Sequence, residues 1–131
     1  MASDPSAIIP VAGDLSVNPG IWVRQILAAG PSTFGRFTTC ALEALSFGQM
    51  LDMWSEVTGK PAVYVRCGIE EWTALWGAVG NEIALQFAFG EAVVPWELTD
   101  EFITPAELGI DEAEVVGFRA TIEGLNKAGL F

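Results

Sequence analysis

The sequence predicts an α/β fold with a very small sheet and several amphipathic helices. Two observations predict it: short β-type runs alternate with segments of helical period in the first half of the chain, and helical patterns follow them. The length of 131 residues fits a single domain, 1–131. No internal repeat or low-complexity tract divides the sequence.

The first part of the chain is predicted to form strand, helix and strand. Weak strand character is found at Ile8–Val11. Asn18 is expected to cap a helix that begins with Pro19, because asparagine favours the cap and proline tolerates the first helical position. Gly30, followed by a proline, ends this helix. Arg36–Leu42, rich in Phe and Thr, is the next predicted strand.

A second helix is predicted to begin at a capping box. The Ser46 hydroxyl would accept the backbone amide of Gln49, whose side chain reaches back to the serine amide. Gly59, followed by Pro61, closes the helix. Its apolar residues recur at helical spacing and form one face, made of Phe47, Met50, Leu51, Trp54 and Val57.

Three further helices are predicted after this point. Ile69–Phe89 has a helical pattern that is broken near Gly77 or Gly80. Thr104–Leu108 is a short helix that starts at a Thr-Pro pair, and Ala113–Lys127 is a weaker last helix. The long helix carries two rows of side chains: Ile69, Trp72, Trp76, Val79, Ile83 and Phe87 in one, and Leu75, Ala78, Glu82, Leu85 and Phe89 in the other.

The charge of the chain is strongly negative and unevenly distributed. The net charge is −11, and the segment between Cys67 and Phe118 holds eleven carboxylates and no Lys or Arg. Such a surface repels phosphate backbones and anionic lipid, so nucleic acid and membrane are not expected partners. The acidic stretch is interpreted as a solvated face, and an acidic docking surface is the alternative.

Composition narrows the classes of function further. Apolar residues make up 51% of the chain, yet no run approaches the roughly 20 apolar residues that span a bilayer. The excess apolar surface predicts a soluble homo-oligomer, most simply a dimer. Cys40 and Cys67 lack a CxxC spacing and suit a reducing, cytoplasmic compartment. The chain has no histidine, which removes most zinc sites and Ser-His-Asp triads.

Several segments of the chain share features with one known family. They are Leu45–Met50, Trp54–Pro61 and Val63–Val65, flanked by Ala12–Leu27, Ile69–Trp72 and Thr104–Gly109. Together these segments resemble the C-terminal, substrate-side part of NmrA-like proteins, which are atypical relatives of the short-chain dehydrogenases. The resemblance runs from about Val11 over nearly the whole chain and implies a partial sheet derived from the Rossmann fold.

The dinucleotide loop of that family has no counterpart in this sequence. Family members bind NAD(P) through a Gly-rich loop after their first strand, whereas Gly13 and Gly20 are too far apart and precede a helix that starts with proline. No cofactor is therefore expected, and no cofactor-binding residue of the family can be carried over. The resemblance leaves binding of an apolar small molecule open.

Three residues are candidates for catalysis. Glu82 lies within an apolar helical row, where desolvation would favour its protonated form and suit a general acid or base. Tyr64 and Arg66 fall on one side of a strand predicted at Pro61–Cys67, where phenol and guanidinium would stabilise an oxyanion. The alternative interpretations are a solvated Glu82 at the outer edge of the helix and a Tyr64 that packs in the core with its hydroxyl at the rim.

Aromatic residues supply the predicted substrate-binding wall. Trp72 and Trp76 lie one turn apart on the long helix, and Trp54 and Gln86 complete the candidate set. Core or subunit-interface packing is the alternative role of the indoles. Together with the resemblance to NmrA-like proteins, these features imply a cofactor-independent isomerase or cyclase acting on an apolar natural product of the fungal secondary-metabolism type. The second hypothesis is a non-catalytic ligand-binding, regulatory or oligomerisation module, and the third is an inactive truncated product.

Overall fold

The computed structural model describes residues 1–92 and 102–131. It is a mixed α/β structure, as predicted, in which helix predominates over strand. The chain forms two compact units, each built from two separate stretches. Unit 1 contains Met1–Ile9 and Leu45–Pro95, and unit 2 contains Pro10–Ala44 and Trp96–Phe131. The single domain of 1–131 stays a prediction.

Residues 1–92 and 102–131 form five α-helices and four β-strands. The strands pair in two two-stranded sheets, β1 with β3 and β2 with β4. The second pair is parallel, with Phe37 opposite Phe102. The elements are β1 (Ile8–Val11), α1 (Asn18–Ala29), β2 (Phe37–Thr38), β3 (Glu43–Ser46), α2 (Phe47–Thr58), α3 (Ile69–Ala92), β4 (Phe102–Ile103), α4 (Pro105–Leu108) and α5 (Phe118–Lys127). A single turn of 3₁₀-helix, Gly30–Thr33, follows α1.

The strand predicted at Pro61–Cys67 is wrong, because residues 61–68 form neither helix nor strand. Two backbone groups of this segment bond to the N-terminal residue instead of to a neighbouring strand. The Met1 amino group donates to the Val65 carbonyl, and the Cys67 amide donates to the Met1 carbonyl. Burial alternates over part of this segment, since Tyr64 is half-buried while Val63 and Val65 are exposed. The alternation ends at Arg66, which is exposed, and Cys67, which is half-buried.

Two further predicted boundaries are corrected. The strand predicted at Arg36–Leu42 is restricted to β2, and β3 begins only at Glu43. The last helix begins at Phe118 and not at Ala113. Its first amide has no cap from its own segment and donates to the Glu43 carboxylate at 2.9 Å. A distant side chain thus fixes where α5 starts, which local sequence does not reveal.

Asn18 is not the cap of α1. Val17 occupies that position, and Asn18 lies inside the helix with its side chain fully buried. Its amide nitrogen donates to the carbonyls of Ala12 and Val116 at 2.7 and 2.8 Å, and its oxygen accepts the Val116 amide at 3.0 Å. These three hydrogen bonds connect α1 to the segments around Ala12 and Val116 within unit 2. They also pair both the nitrogen and the oxygen of the amide, as a buried side-chain amide requires.

Unit 2 has a compact apolar core beside this link. Ile21, Trp22, Ile103 and Leu108 are buried together. The indole nitrogen of Trp22 donates to the Thr39 carbonyl at 3.2 Å, which satisfies the only polar atom of the ring. The core therefore joins α1 to β4 and α4.

In unit 1, α2 forms as predicted. Both bonds of the Ser46–Gln49 capping box are present, and Gly59 ends the helix in a left-handed conformation. Phe47, at the first position of α2, packs edge-on against Phe87 with ring centroids 5.1 Å apart, and lies 6.4 Å from Tyr64. These rings attach α3 and the 61–68 segment to α2.

The predicted break in α3 is confirmed at Gly77, whose φ of 66° and ψ of −151° are outside the helical range. The bend brings Thr73 and Asn81, eight residues apart, within 3.3 Å. Gly80 lies against Trp76 there and is buried. Among the helices of the described residues, none has the length and apolar character needed to cross a bilayer.

Candidate functional site

A cluster of polar side chains in unit 1 joins the N-terminal residues to the 61–68 segment and α3. The buried Ser3 hydroxyl donates to the Glu91 carboxylate at 2.5 Å, and the Asp4 amide donates to the same oxygen at 2.7 Å. The Tyr64 hydroxyl donates to the Ser3 carbonyl at 3.1 Å. Arg66 pairs with the Asp4 carboxylate at 2.8 Å.

Hydrogen bonding and burial set the protonation of this cluster. The Ser3 hydroxyl, followed by the Asp4 amide, lowers the pKa of Glu91. The hydroxyl and amide of Ser6 lower the pKa of Asp4, with a smaller contribution from Arg66. Burial raises the pKa of Tyr64, and the Glu91 charge adds to this effect. At neutral pH the two carboxylates are therefore ionised and the phenol is a neutral donor.

An open cavity of about 480 Å³ lies beside the cluster, within unit 1. Its charged lining consists of Arg66, Glu71 and Glu91, and Cys67 and Ile69 are also part of the wall. The Glu71 carboxylate is held by the Gly68 amide at 2.7 Å. Its polar groups mostly bond one another, so the cavity offers a small molecule a charged rim, and none of the described residues that line it is aromatic.

The structure brings together two of the three predicted catalytic residues. Tyr64 and Arg66 both belong to the polar cluster, and Arg66 also lines the cavity. The phenol, however, donates to a backbone carbonyl and is not among the residues that line the cavity.

The expectation that Glu82 is desolvated is wrong. Its side chain is exposed and does not line the cavity. At 100° per residue, the inward side of α3 after the kink is the side of Gly80, Ala84 and Glu91, and Glu82 lies on the opposite side. The apolar row that contains Glu82 is therefore the outer surface of the helix, which was the alternative interpretation.

The predicted substrate wall does not assemble around this cavity. Trp72 and Trp76 stack with ring centroids 5.8 Å apart and a tilt of 46°. Trp76 is 62% exposed, and the buried indole nitrogen of Trp72 has no partner among the described residues. Trp54 is half-buried on α2, and Gln86 is exposed on α3. None of the four lines the cavity.

The outer face of α3 is the second feature that points to function. We define it as Val79, Glu82, Leu85, Gln86 and Phe89, which follow one another at helical spacing on the side away from Ala84. Val79, Leu85 and Phe89 are 67, 53 and 59% exposed. Three large apolar side chains thus surround one carboxylate and one amide on the surface of a helix.

Sequence reasoning missed Ser3, Asp4 and Glu91 in the polar cluster. The hydrogen bonds of Glu91 reach residues 88 and 87 positions earlier in the chain, and no local pattern signals such contacts. One signal was available for α3: the row containing Glu82 includes a carboxylate at a position where a buried helix face would be apolar. A charged residue in such a row favours the surface.

Comparison with protein-family models, curated proteins and solved structures gave no significant match. The resemblance to NmrA-like proteins stays a prediction. Function is therefore argued from the two features above, the polar cluster with its cavity and the outer face of α3.

Proposed function

We propose that this protein is a non-catalytic interaction module that binds another protein chain through the outer face of α3. The observation that supports it is the poor burial of this helix. In 24 residues, α3 buries only Gly80 and Ala84, while Val79, Leu85 and Phe89 stay exposed. The occupant is either a second copy of this chain, as the apolar composition predicts, or a different protein.

The energetic reason is the size of the exposed apolar side chains. Complete burial of one Val, Leu or Phe side chain favours association by about 1.5–3 kcal/mol. Leu85 and Phe89 lie one turn apart, whereas Glu82 and Gln86 separate Val79 from them. All three are more than half exposed on the same side of α3, so a partner surface that runs along the helix reaches all three. Contiguous apolar patches on soluble proteins mark interaction sites more often than scattered apolar residues do.

Photo-crosslinking tests this proposal. A benzophenone amino acid replaces Leu85 in the full chain, which is expressed in cells that make the protein naturally. The matched control replaces Leu130 in unit 2, which is 67% exposed. We expect a discrete protein adduct from position 85 that disappears when Phe89 is also changed to Gln. Identical adduct patterns from the two positions, or none from position 85, would contradict the proposal.

The cavity supports a second candidate function, the cofactor-independent isomerase or cyclase on a partial sheet derived from the Rossmann fold. A volume of about 480 Å³ lies within the range of small-molecule sites. In this candidate function, the ionised Glu91 would accept a proton from a bound substrate and Arg66 would stabilise the resulting oxyanion, since both line the cavity. The sequence assigned the proton transfer to Glu82, on the other side of the helix.

Deuterium exchange into a cyclic enone in D₂O, followed by NMR, tests this second candidate. Glu91→Gln should slow exchange by about 10²–10⁴-fold, and Glu82→Gln and Asp52→Asn should leave it unchanged. Slower exchange in Glu82→Gln alone would assign the proton transfer to Glu82. If the wild-type protein exchanges deuterium no faster than buffer alone, the isomerase or cyclase function is contradicted.

A further inference from the structure

Glu82 occupies the middle of the outer face of α3. Val79 precedes it by three residues and Leu85 follows it by three, so both lie within one turn. Among the described residues, Glu82 has no ion pair and no hydrogen bond, whereas Glu71 and Glu91 of the same helix are both bonded. Any chain that covers the apolar residues of this face also covers an unpaired carboxylate.

Covering that carboxylate has a consequence for the occupant. Removing an ionised carboxylate from water is strongly unfavourable unless a cation or several donors replace the water. Gln86, beside Glu82 on the same face, is itself exposed. The occupant must therefore supply a cation or several hydrogen-bond donors, and a single Arg or Lys side chain supplies both.

A second copy of this chain does not meet that condition. A two-fold dimer brings the same patch of both copies together. The sequence from Cys67 to Phe118 contains no Lys or Arg, so two outer faces would enclose two carboxylates and no cation. The net charge of −11 adds a general repulsion between copies and favours encounter with a basic partner.

We infer that the outer face of α3 docks an amphipathic helix of a different protein, with an Arg or Lys inside its apolar stripe that pairs with Glu82. This inference rests on the proposed function and names its partner by chemistry. Helices pack at interaxial distances of about 8–10 Å, within which the long side chain of Arg or Lys reaches a carboxylate on the facing helix. The apolar residues supply affinity, and Glu82 selects the partner.

A charge-reversed copy of the protein supplies a defined probe. Glu82→Lys presents the same apolar residues around a cation, and the wild type presents them around a carboxylate. Binding of Glu82→Lys to immobilised wild type is measured at low and at high NaCl concentration. Asp52→Lys, at an exposed position of α2, is the matched control because it changes the net charge by the same amount.

We expect wild type and Glu82→Lys to bind each other at least about tenfold more tightly than wild type binds itself or Asp52→Lys, with an affinity that falls as salt rises. Glu82→Lys binding no more tightly than Asp52→Lys overturns the inference. In that case, self-association of the wild type that Leu85→Gln abolishes still supports the proposed function. Failure of the proposed function is recognised separately, by the absence of an adduct from position 85.

Discussion

Helices α1 and α3 bury their large apolar residues to different degrees, although α1 also leaves Val23 and Leu27 exposed. In 12 residues, α1 of unit 2 buries Asn18, Ile21 and Trp22. In twice that length, α3 of unit 1 buries only Gly80 and Ala84. The two helices nevertheless contain the same proportion of apolar residues. Apolar content alone therefore does not tell whether a helix stabilises its own fold or offers a surface to a partner.

The difference lies in what surrounds each helix. Around α1, the buried residues belong to one cluster that includes Ile103 and Leu108, and Asn18 completes it with three hydrogen bonds. Around α3, the inward contacts are made by Gly80, Ala84, the ring of Phe87 and the polar bonds of Glu91, and Val79, Leu85 and Phe89 stay exposed. Substitutions in the two helices should consequently differ in their effect on stability.

The largest expected difference concerns the tryptophans. Trp22→Ala removes an indole that is 3% exposed and should lower the free energy of unfolding by about 3–5 kcal/mol. Trp76→Ala removes an indole that is 62% exposed and should lower it by less than about 1 kcal/mol. Urea denaturation followed by circular dichroism measures both. Equal losses would show that α3 is packed as firmly as α1.

Asn18 in α1 and Asn81 in α3 provide a second comparison of the two helices. Asn18→Ala removes three hydrogen bonds of a fully buried side chain, leaves the Val116 amide without this partner and should destabilise the protein by about 2–3 kcal/mol. Asn81→Ala removes one 3.3 Å bond with Thr73 and should cost no more than about 1 kcal/mol. Thermal unfolding of both variants provides the check, and a larger loss for Asn81→Ala would reverse the order that the hydrogen bonds predict.

Two glycines of α3 should respond with opposite signs. Gly77→Ala forces a Cβ onto a left-handed backbone and should destabilise the protein by about 1–3 kcal/mol. Gly90→Ala adds a methyl group in open space on a helical residue and should stabilise it by up to about 1 kcal/mol. Melting temperatures decide between them, and stabilisation by Gly77→Ala would show that the bend is not required.

The smallest effect is expected from pH. The folded-state pKa of Glu91 is held below its ordinary value of 4.5 by the bonds from Ser3 and Asp4. The associated stabilisation is complete above pH 4.5 and is lost as pH falls through the lowered pKa. Ser3→Ala should raise the pKa of Glu91, as measured by carbon NMR titration of the carboxylate. A titration curve identical to that of the wild type would show that the hydroxyl does not hold the charge.

The sequence predicted local features well and distant ones poorly. The Ser46–Gln49 capping box and the break at Gly77 were predicted because each depends on a few neighbouring residues. The roles of Asn18 and Glu91 were not, because their partners lie far away along the chain. Glu82 was found by its pattern and assigned to the wrong side, since periodicity identifies a face without telling whether it points to the core or to solvent.

The most direct test of the account is the free energy of unfolding of the double variant Leu85→Gln, Phe89→Gln. Both replacements keep helix propensity and remove apolar surface only from the outer face of α3. Because these side chains are 53 and 59% exposed, we expect the variant to unfold within about 1 kcal/mol of the wild type. A loss of about 3 kcal/mol or more, comparable with that of Trp22→Ala, would mean that the chain itself buries this face and would contradict its assignment as a docking surface.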